Sequence, residues 1–186
     1  MNPLLIEVPT ELYTERLYIR MPRPGDGKAV YEAIMESIED LKPWLPFASE
    51  EQTDQKTEEN LREAIIQYWK REDLRLLVFL KETGEFVASS GLHRIDWSVP
   101  KFEIGYWIRS TKSGQGYITE AVEGINRFAM QELGARRIEI RCDSNNLKSR
   151  RVPERLGFIL EGILKNDMVS IDGTGLRDTC IYAKTR

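Results

Sequence analysis

Phe102 to Ile118 reads FEIGYWIRSTKSGQGYI, and the order of residue types along it decides the architecture. Alternation puts Phe102, Ile104, Tyr106 and Ile108 on one face of a strand and Glu103, Gly105 and Trp107 on the other. Gly114 and Gly116 bracket Gln115, and from Tyr117 onward Ala121, Val122, Ile125, Phe128, Ala129 and Leu133 recur at helical spacing. The chain is therefore expected to turn at the glycines and enter a helix directly. The first turn of a helix has backbone N–H groups without internal partners and carries the positive end of the helix dipole, and side-chain-free residues let an anion approach both. The stretch suits a phosphate-bearing ligand. It is neither of the two familiar nucleotide loops: no Gly-Lys-Ser/Thr follows, and Thr119 stands where a dinucleotide fingerprint needs its third glycine.

Further along, Asn146-Leu147-Lys148-Ser149 leads into RRVPERLGF, Arg150 to Phe158. Taken in order, EIGYWI, SGQGYITEAV and the NxxSxRVxExLGFxxEG pattern resemble the GNAT superfamily of acetyl-CoA-dependent N-acetyltransferases, and within it the RimJ/RimL-type enzymes that acetylate protein N-termini. The resemblance runs from Thr14-Glu15-Arg16-Leu17 to the closing strand. It implies the α+β GNAT (acyl-CoA N-acyltransferase) fold, a mixed central sheet of about seven strands flanked by helices. It also implies acetyl-CoA as cosubstrate, with no metal.

Site roles follow from the same resemblance. The backbone of Trp107, Ile108 and Arg109 would pair with the pantetheine arm like an added strand. The N–H groups of Gly114, Gln115, Gly116, Tyr117, Ile118 and Thr119 would bind the pyrophosphate and Asn146 the arm, while Arg151 would either reach a nucleotide phosphate or stand as an ordinary exposed helix arginine. Ser149 resembles the serine whose hydroxyl serves the leaving thiolate, with helix capping as its competing role. Trp44 is expected in the acceptor wall, in the family-like reading, or packed over the core as bulky loop residues usually are. An α-amine with a reference pKa of about 7.7 to 8.0 is mostly protonated at neutral pH, so a base is needed. Glu103 is the first candidate, with a plain surface or ammonium-binding role of equal weight; His93 is the second, and as a lone strand histidine has a structural alternative. Tyr106 and Tyr182 remain reserve proton donors.

A chain of 186 residues without repeats or low-complexity stretches suits one domain, 1–186. A net charge of -3 argues against a general nucleic-acid binder, which needs a concentrated basic surface, and favours positively charged partners. No apolar run approaches the roughly 20 residues of a membrane span, and MNPLLIEVPTE has no secretory pattern, so a cytoplasmic location is expected. Cys142 and Cys180 are expected free and buried, and the single histidine makes a histidine metal site improbable. Oligomeric state stays open between monomer and homodimer.

The remaining elements read in order. A strand over Glu15–Met21 precedes a helix capped by Asp26, with Val30, Ala33, Ile34 and Ile38 inward. Two prolines keep Leu41–Ala48 irregular. After the acidic run Glu50–Glu59, a helix from about Thr57 turns Leu61, Ala64, Ile65, Tyr68 and Trp69 to the core. Leu74–Lys81 and Glu85–Asp96 form a hairpin, Arg137–Cys142 a further strand, and Phe158–Ile171 with Leu176–Lys184 a closing hairpin. Pro153 is expected to kink or restart the helix after Asn146. Three functions fit: N-acetylation of a protein α-amine, N-acetylation of a polyamine, amino acid or aminoglycoside, and non-catalytic acyl-CoA binding.

Overall fold

The structure, a computed structural model, describes residues 2–186. Its frame is one mixed sheet of eight strands: β1 (Glu11–Tyr13), β2 (Leu17–Arg20), β3 (Leu74–Leu80), β4 (Phe86–Asp96), β5 (Lys101–Ile108), β6 (Arg137–Asp143), β7 (Ile159–Val169) and β8 (Leu176–Thr185). In space they run β1-β2-β3-β4-β5-β6-β8-β7, so the closing hairpin inserts β8 between β6 and β7. The strand beyond the expected seven is β1, three residues too short to show alternation, held by pairing Glu11–Tyr13 against Tyr18–Arg20.

Two apolar clusters use the two faces of β5. Phe102 and Ile104 pack with Ala121, Val122 and Ile125 of α3 (Tyr117–Gln131). Trp107 faces the other way, into Val30, Ala33 and Ile34 of α1 (Gly27–Leu41) and Leu61 of α2 (Asp54–Lys70). The alternation read from the sequence is thus a division of the core into two layers.

Several helix ends differ from expectation for local reasons. Asp26 does not cap α1; its two oxygens accept from both Arg20 amino groups at 2.7 Å and from Arg23 N at 2.7 Å. The second helix begins three residues earlier than expected, because the Thr53 hydroxyl accepts from Lys56 N at 3.1 Å and turns the acidic run into its first turns. Trp69 is 54% exposed, since Tyr68 takes the inward position and donates its hydroxyl to Pro9 O at 2.7 Å.

All joints but one in the sheet are antiparallel. β5 and β6 run parallel and pair only at Lys101–Glu103 against Arg137–Glu139, after which they part. Arg109 N–H goes to Val87 O on the β4 side at 2.9 Å. By the alternation of an antiparallel pair, Ile108 therefore turns its N–H and C=O to the open edge, and Arg109 does not.

Candidate active site

The glycines do what the sequence requires of them. Gly114 and Gly116 have φ of +77° and +82°, a region that L side chains rarely adopt, and Gly116 is the N-cap of α3. No side chain caps this helix, and backbone donation resumes at Glu120, whose N–H reaches Gly116 O at 3.0 Å. Gly114, Gln115 and Gly116 are exposed, with Tyr117, Ile118 and Thr119 half-buried behind them. An exposed helix start without a cap is an electropositive cup of N–H groups that fits a pyrophosphate.

The Thr-Glu-Arg motif at the start of the chain holds that cup in place. Thr14 Oγ1 donates to Glu120 at 2.6 Å, Arg16 Nε pairs with Glu120 at 2.6 Å, and Arg16 NH1 donates to Gln115 O at 3.1 Å. Arg16 also lies over the Tyr117 ring, 4.4 Å from its centroid. Burial raises the Glu120 pKa, but the hydrogen bonds from Thr14 and Arg16 outweigh it and leave the group below its ordinary value. On the other side, the Arg109 hydrogen bond, together with Thr111, holds the Glu36 carboxyl down at about 2, tying α1 to the loop.

Where β5 and β6 part, Tyr106 meets α4 (Leu147–Arg155). Asn146 caps that helix, its Oδ1 accepting from Ser149 N at 3.0 Å. α4 runs through Pro153 without restarting. Lacking an N–H, Pro153 leaves Ser149 C=O without the usual helical donor, and the Tyr106 hydroxyl supplies that bond at 2.9 Å. Ser149 Oγ lies 3.3 Å from the same hydroxyl, so both hydroxyls stand at the opening between the strands. Burial raises the Tyr106 pKa and pushes the neighbouring Cys142 thiol up to about 12. Both cysteines are free, and Cys142 stands opposite Cys180 in the β6–β8 register. Arg151 is exposed on the outer side of α4.

A cleft of about 460 Å³ lies on the α1–α2 face of the sheet. Its floor includes Asp73, His93 and Gly105, and its roof is a face of α2 on which Asn60, Glu63, Ala64 and Gln67 recur at helical spacing. Leu45 and Phe47 line its mouth, whereas Trp44, expected in this wall, is not part of the lining. The 3-10 turn Pro46–Ser49 directs Phe47 inward instead, with its ring 6.3 Å from that of Trp107.

The two proposed bases are cross-strand neighbours on one face of the sheet, His93 opposite Glu103, but they line different cavities. Glu103 is outside the cleft, in a small separate cavity with Arg94 at 3.5 Å and Arg141 at 3.8 Å. Burial raises its pKa, the two arginines opposing. His93 faces the cleft, with Nδ1 2.7 Å from Asp73 Oδ2. Asp73 and the polar face of α2 escaped the sequence reading. The signal for α2 was present as a polar i, i+3, i+7 stripe beside the buried one; for Asp73, outside β3, there was none. Among the described residues, no group of three or more His, Cys, Asp or Glu is placed to hold a metal ion, and no helix is long and apolar enough to cross a membrane.

The comparisons agree with this geometry. Residues 16–159 match the model of the acetyltransferase (GNAT) domain. A Bacillus subtilis (strain 168) protein named "Putative ribosomal N-acetyltransferase YdaF" is 36% identical over 151 residues, 80% of each chain. The ribosomal-protein-serine acetyltransferase of Escherichia coli (strain K12) is 30% identical over 155 residues, 82% of this chain and 84% of that one. In shape the chain superposes on RimL, a ribosomal L7/L12 α-N-protein acetyltransferase solved with coenzyme A, at a TM-score of 0.86 and 20% identity, covering 96% and 97% of the two chains. An uncapped helix start beside a split parallel pair, in a chain that matches this domain over most of its length, makes the protein a member of the GNAT family, an acetyltransferase that draws its acetyl group from acetyl-CoA.

Proposed function

We propose that this acetyltransferase modifies the N-terminal α-amine of a protein, a ribosomal protein being the class its relatives' names suggest, by direct attack in a ternary complex. The observation that carries the reading is the cleft itself. Its polar α2 roof can hydrogen-bond an extended peptide, and its floor reaches Gly105 and Tyr106, where β5 leaves β6. A chain end lying there meets the thioester from the opposite face of the sheet. The cleft carries the Glu50, Glu63 and Asp73 carboxylates against Lys56 and Arg75, a small negative excess that favours a cationic amine over an anionic acceptor.

In this reading the Ile108 edge pairs with the pantetheine amides, the Gly114–Thr119 N–H groups hold the pyrophosphate, and the Asn146 amide and Arg151 bind beside α4. Ser149 Oγ donates to the departing sulfur, and Tyr106 steadies Ser149 from across the gap. Direct attack is favoured over an acetyl-cysteine intermediate, because a Cys142 thiol raised to about 12 is protonated at neutral pH and is a poor nucleophile.

Thiol release from acetyl-CoA, followed with basic peptides bearing free or formylated N-termini and with spermidine, lysine and an aminoglycoside, tests the assignment. Turnover is expected with free peptide N-termini and none with the formylated ones. Faster turnover on a small amine than on every peptide would overturn the protein-acceptor reading. Binding of acetyl-CoA without turnover on any amine would leave a non-catalytic acyl-CoA-binding role.

A further inference from the structure

Gly91 and Gly105 are directly opposite one another on β4 and β5, and the His93 ring lies over this pair. A Cβ on Gly105 would stand 3.1 Å from His93 Cδ2 and 3.4 Å from Nε2, whereas one on Gly91 would first meet the β3 backbone, 2.6 Å from Leu74 O, and would also stand 3.1 Å from His93 Cε1. The imidazole is therefore laid along the floor of the cleft toward the point at which β5 and β6 part, two residues beyond their last pair at Glu103. Asp73 engages Nδ1 at 2.7 Å, while Nε2 has no hydrogen-bond partner among the described residues. An ionised Asp73 keeps the ring proton on Nδ1, which presents the Nε2 lone pair to the cleft.

We infer that His93 is the proton acceptor for the incoming amine and that Asp73 is its positioning residue, on a floor cleared by Gly91 and Gly105. The inference rests on the transferase reading above. The acceptor ammonium gives one proton to Nε2, and the neutral nitrogen attacks the thioester carbonyl. The C–N bond forms, the C–S bond breaks, and the nitrogen's second proton passes to the thiolate through the hydroxyls at the gap. The imidazolium then returns its proton to water, so the cycle releases one proton per amide formed. Charged groups facing the ring are Asp73 and Arg75 from β3, Glu103 from β5, and Lys56 and Glu63 from α2, with Arg94 next to it on β4. These are three acids and three bases, so removing Asp73 leaves the ring with an excess of cationic neighbours.

The test is the pH profile of kcat/KM with the best peptide found above, for the wild type, His93→Gln, Asp73→Asn and Glu103→Gln, with calorimetric acetyl-CoA binding measured on each. His93→Gln is expected to bind acetyl-CoA as the wild type does, lose about 10²- to 10⁴-fold in kcat/KM and lose the acid limb. Asp73→Asn is expected to move that limb to lower pH, which a merely structural carboxylate would not do. A wild-type limb in His93→Gln, or loss of the limb in Glu103→Gln instead, overturns the inference while leaving acetyl transfer intact. If His93→Gln fails to bind acetyl-CoA, the Asp73→Asn limb decides: moved supports the pair, unmoved overturns it. A wild type that turns over no amine removes the pair together with the transferase reading.

Discussion

Arg16 shows how a residue outside the ligand-binding loop can set its shape. Its guanidinium is shared between Glu120, Gln115 O and the Tyr117 ring, so each contact fixes a different part of the helix start. Arg16→Ala removes a charge-assisted pair of a kind worth about 1.5–3 kcal/mol, part of which is screened because the arginine is exposed. Acetyl-CoA affinity is expected to weaken about tenfold, equivalent to about 1.4 kcal/mol, with kcat at saturation little changed; calorimetry and saturation kinetics read the two separately. At Gly105 the opposite split is expected. An added methyl group stands 3.1 Å from His93 Cδ2, so Gly105→Ala should lower kcat at least tenfold and leave acetyl-CoA binding alone.

At the scale of elements, α4 and β5 share one bond that neither could make with an ordinary sequence. Tyr106 donates to Ser149 C=O because Pro153 cannot. Tyr106→Phe is therefore expected to cost about 1–2 kcal/mol in urea unfolding, the low end of the penalty for an unpaired carbonyl because this one is only partly buried. In a Pro153→Ala background, where the helix supplies its own N–H, the cost should fall below about 1 kcal/mol; the double-mutant cycle measures the difference. The strands and α3 were legible from alternation and spacing, and so was the glycine turn. Compensation between Pro153 and Tyr106 was not, because it joins residues 47 positions apart in the chain and on different elements. The same is true of Asp73 and His93: a carboxylate beside a strand has no local signature, and only the β3–β4 register brings it to the ring. Trp44 and Glu103 do not line the cleft: Phe47 of the Pro46–Ser49 turn does so in place of Trp44, and Glu103 lies in a neighbouring cavity beside Arg94 and Arg141.

Over the whole molecule, acid stability depends on carboxylates that staple layers together. Glu36 on α1 holds Arg109 and Thr111 next to the loop, and its folded-state pKa is depressed to about 2 from 4.5. A depressed carboxylate contributes its full stability above the unfolded value and loses it as pH falls, here from about 4.5 toward 2. Thermal unfolding of Glu36→Gln should accordingly be less sensitive to pH in that window than the wild type, and lower in Tm at pH 7. The mixed sheet was legible as a class, yet its weakest joint was not, because three-residue parallel pairing leaves no mark on composition or periodicity.

That short joint means the protein is two half-sheets, β1–β5 and β6–β8, with a missing rung between them. A pantetheine arm lying against Ile108 would fill it and make the substrate a temporary part of the scaffold. Amide hydrogen exchange in Ile104–Ile108 and Ile140–Asp143 should then slow on loading with acetyl-CoA. After each turnover the departing coenzyme would unzip the seam again, so that breathing of the halves and release of product become the same event.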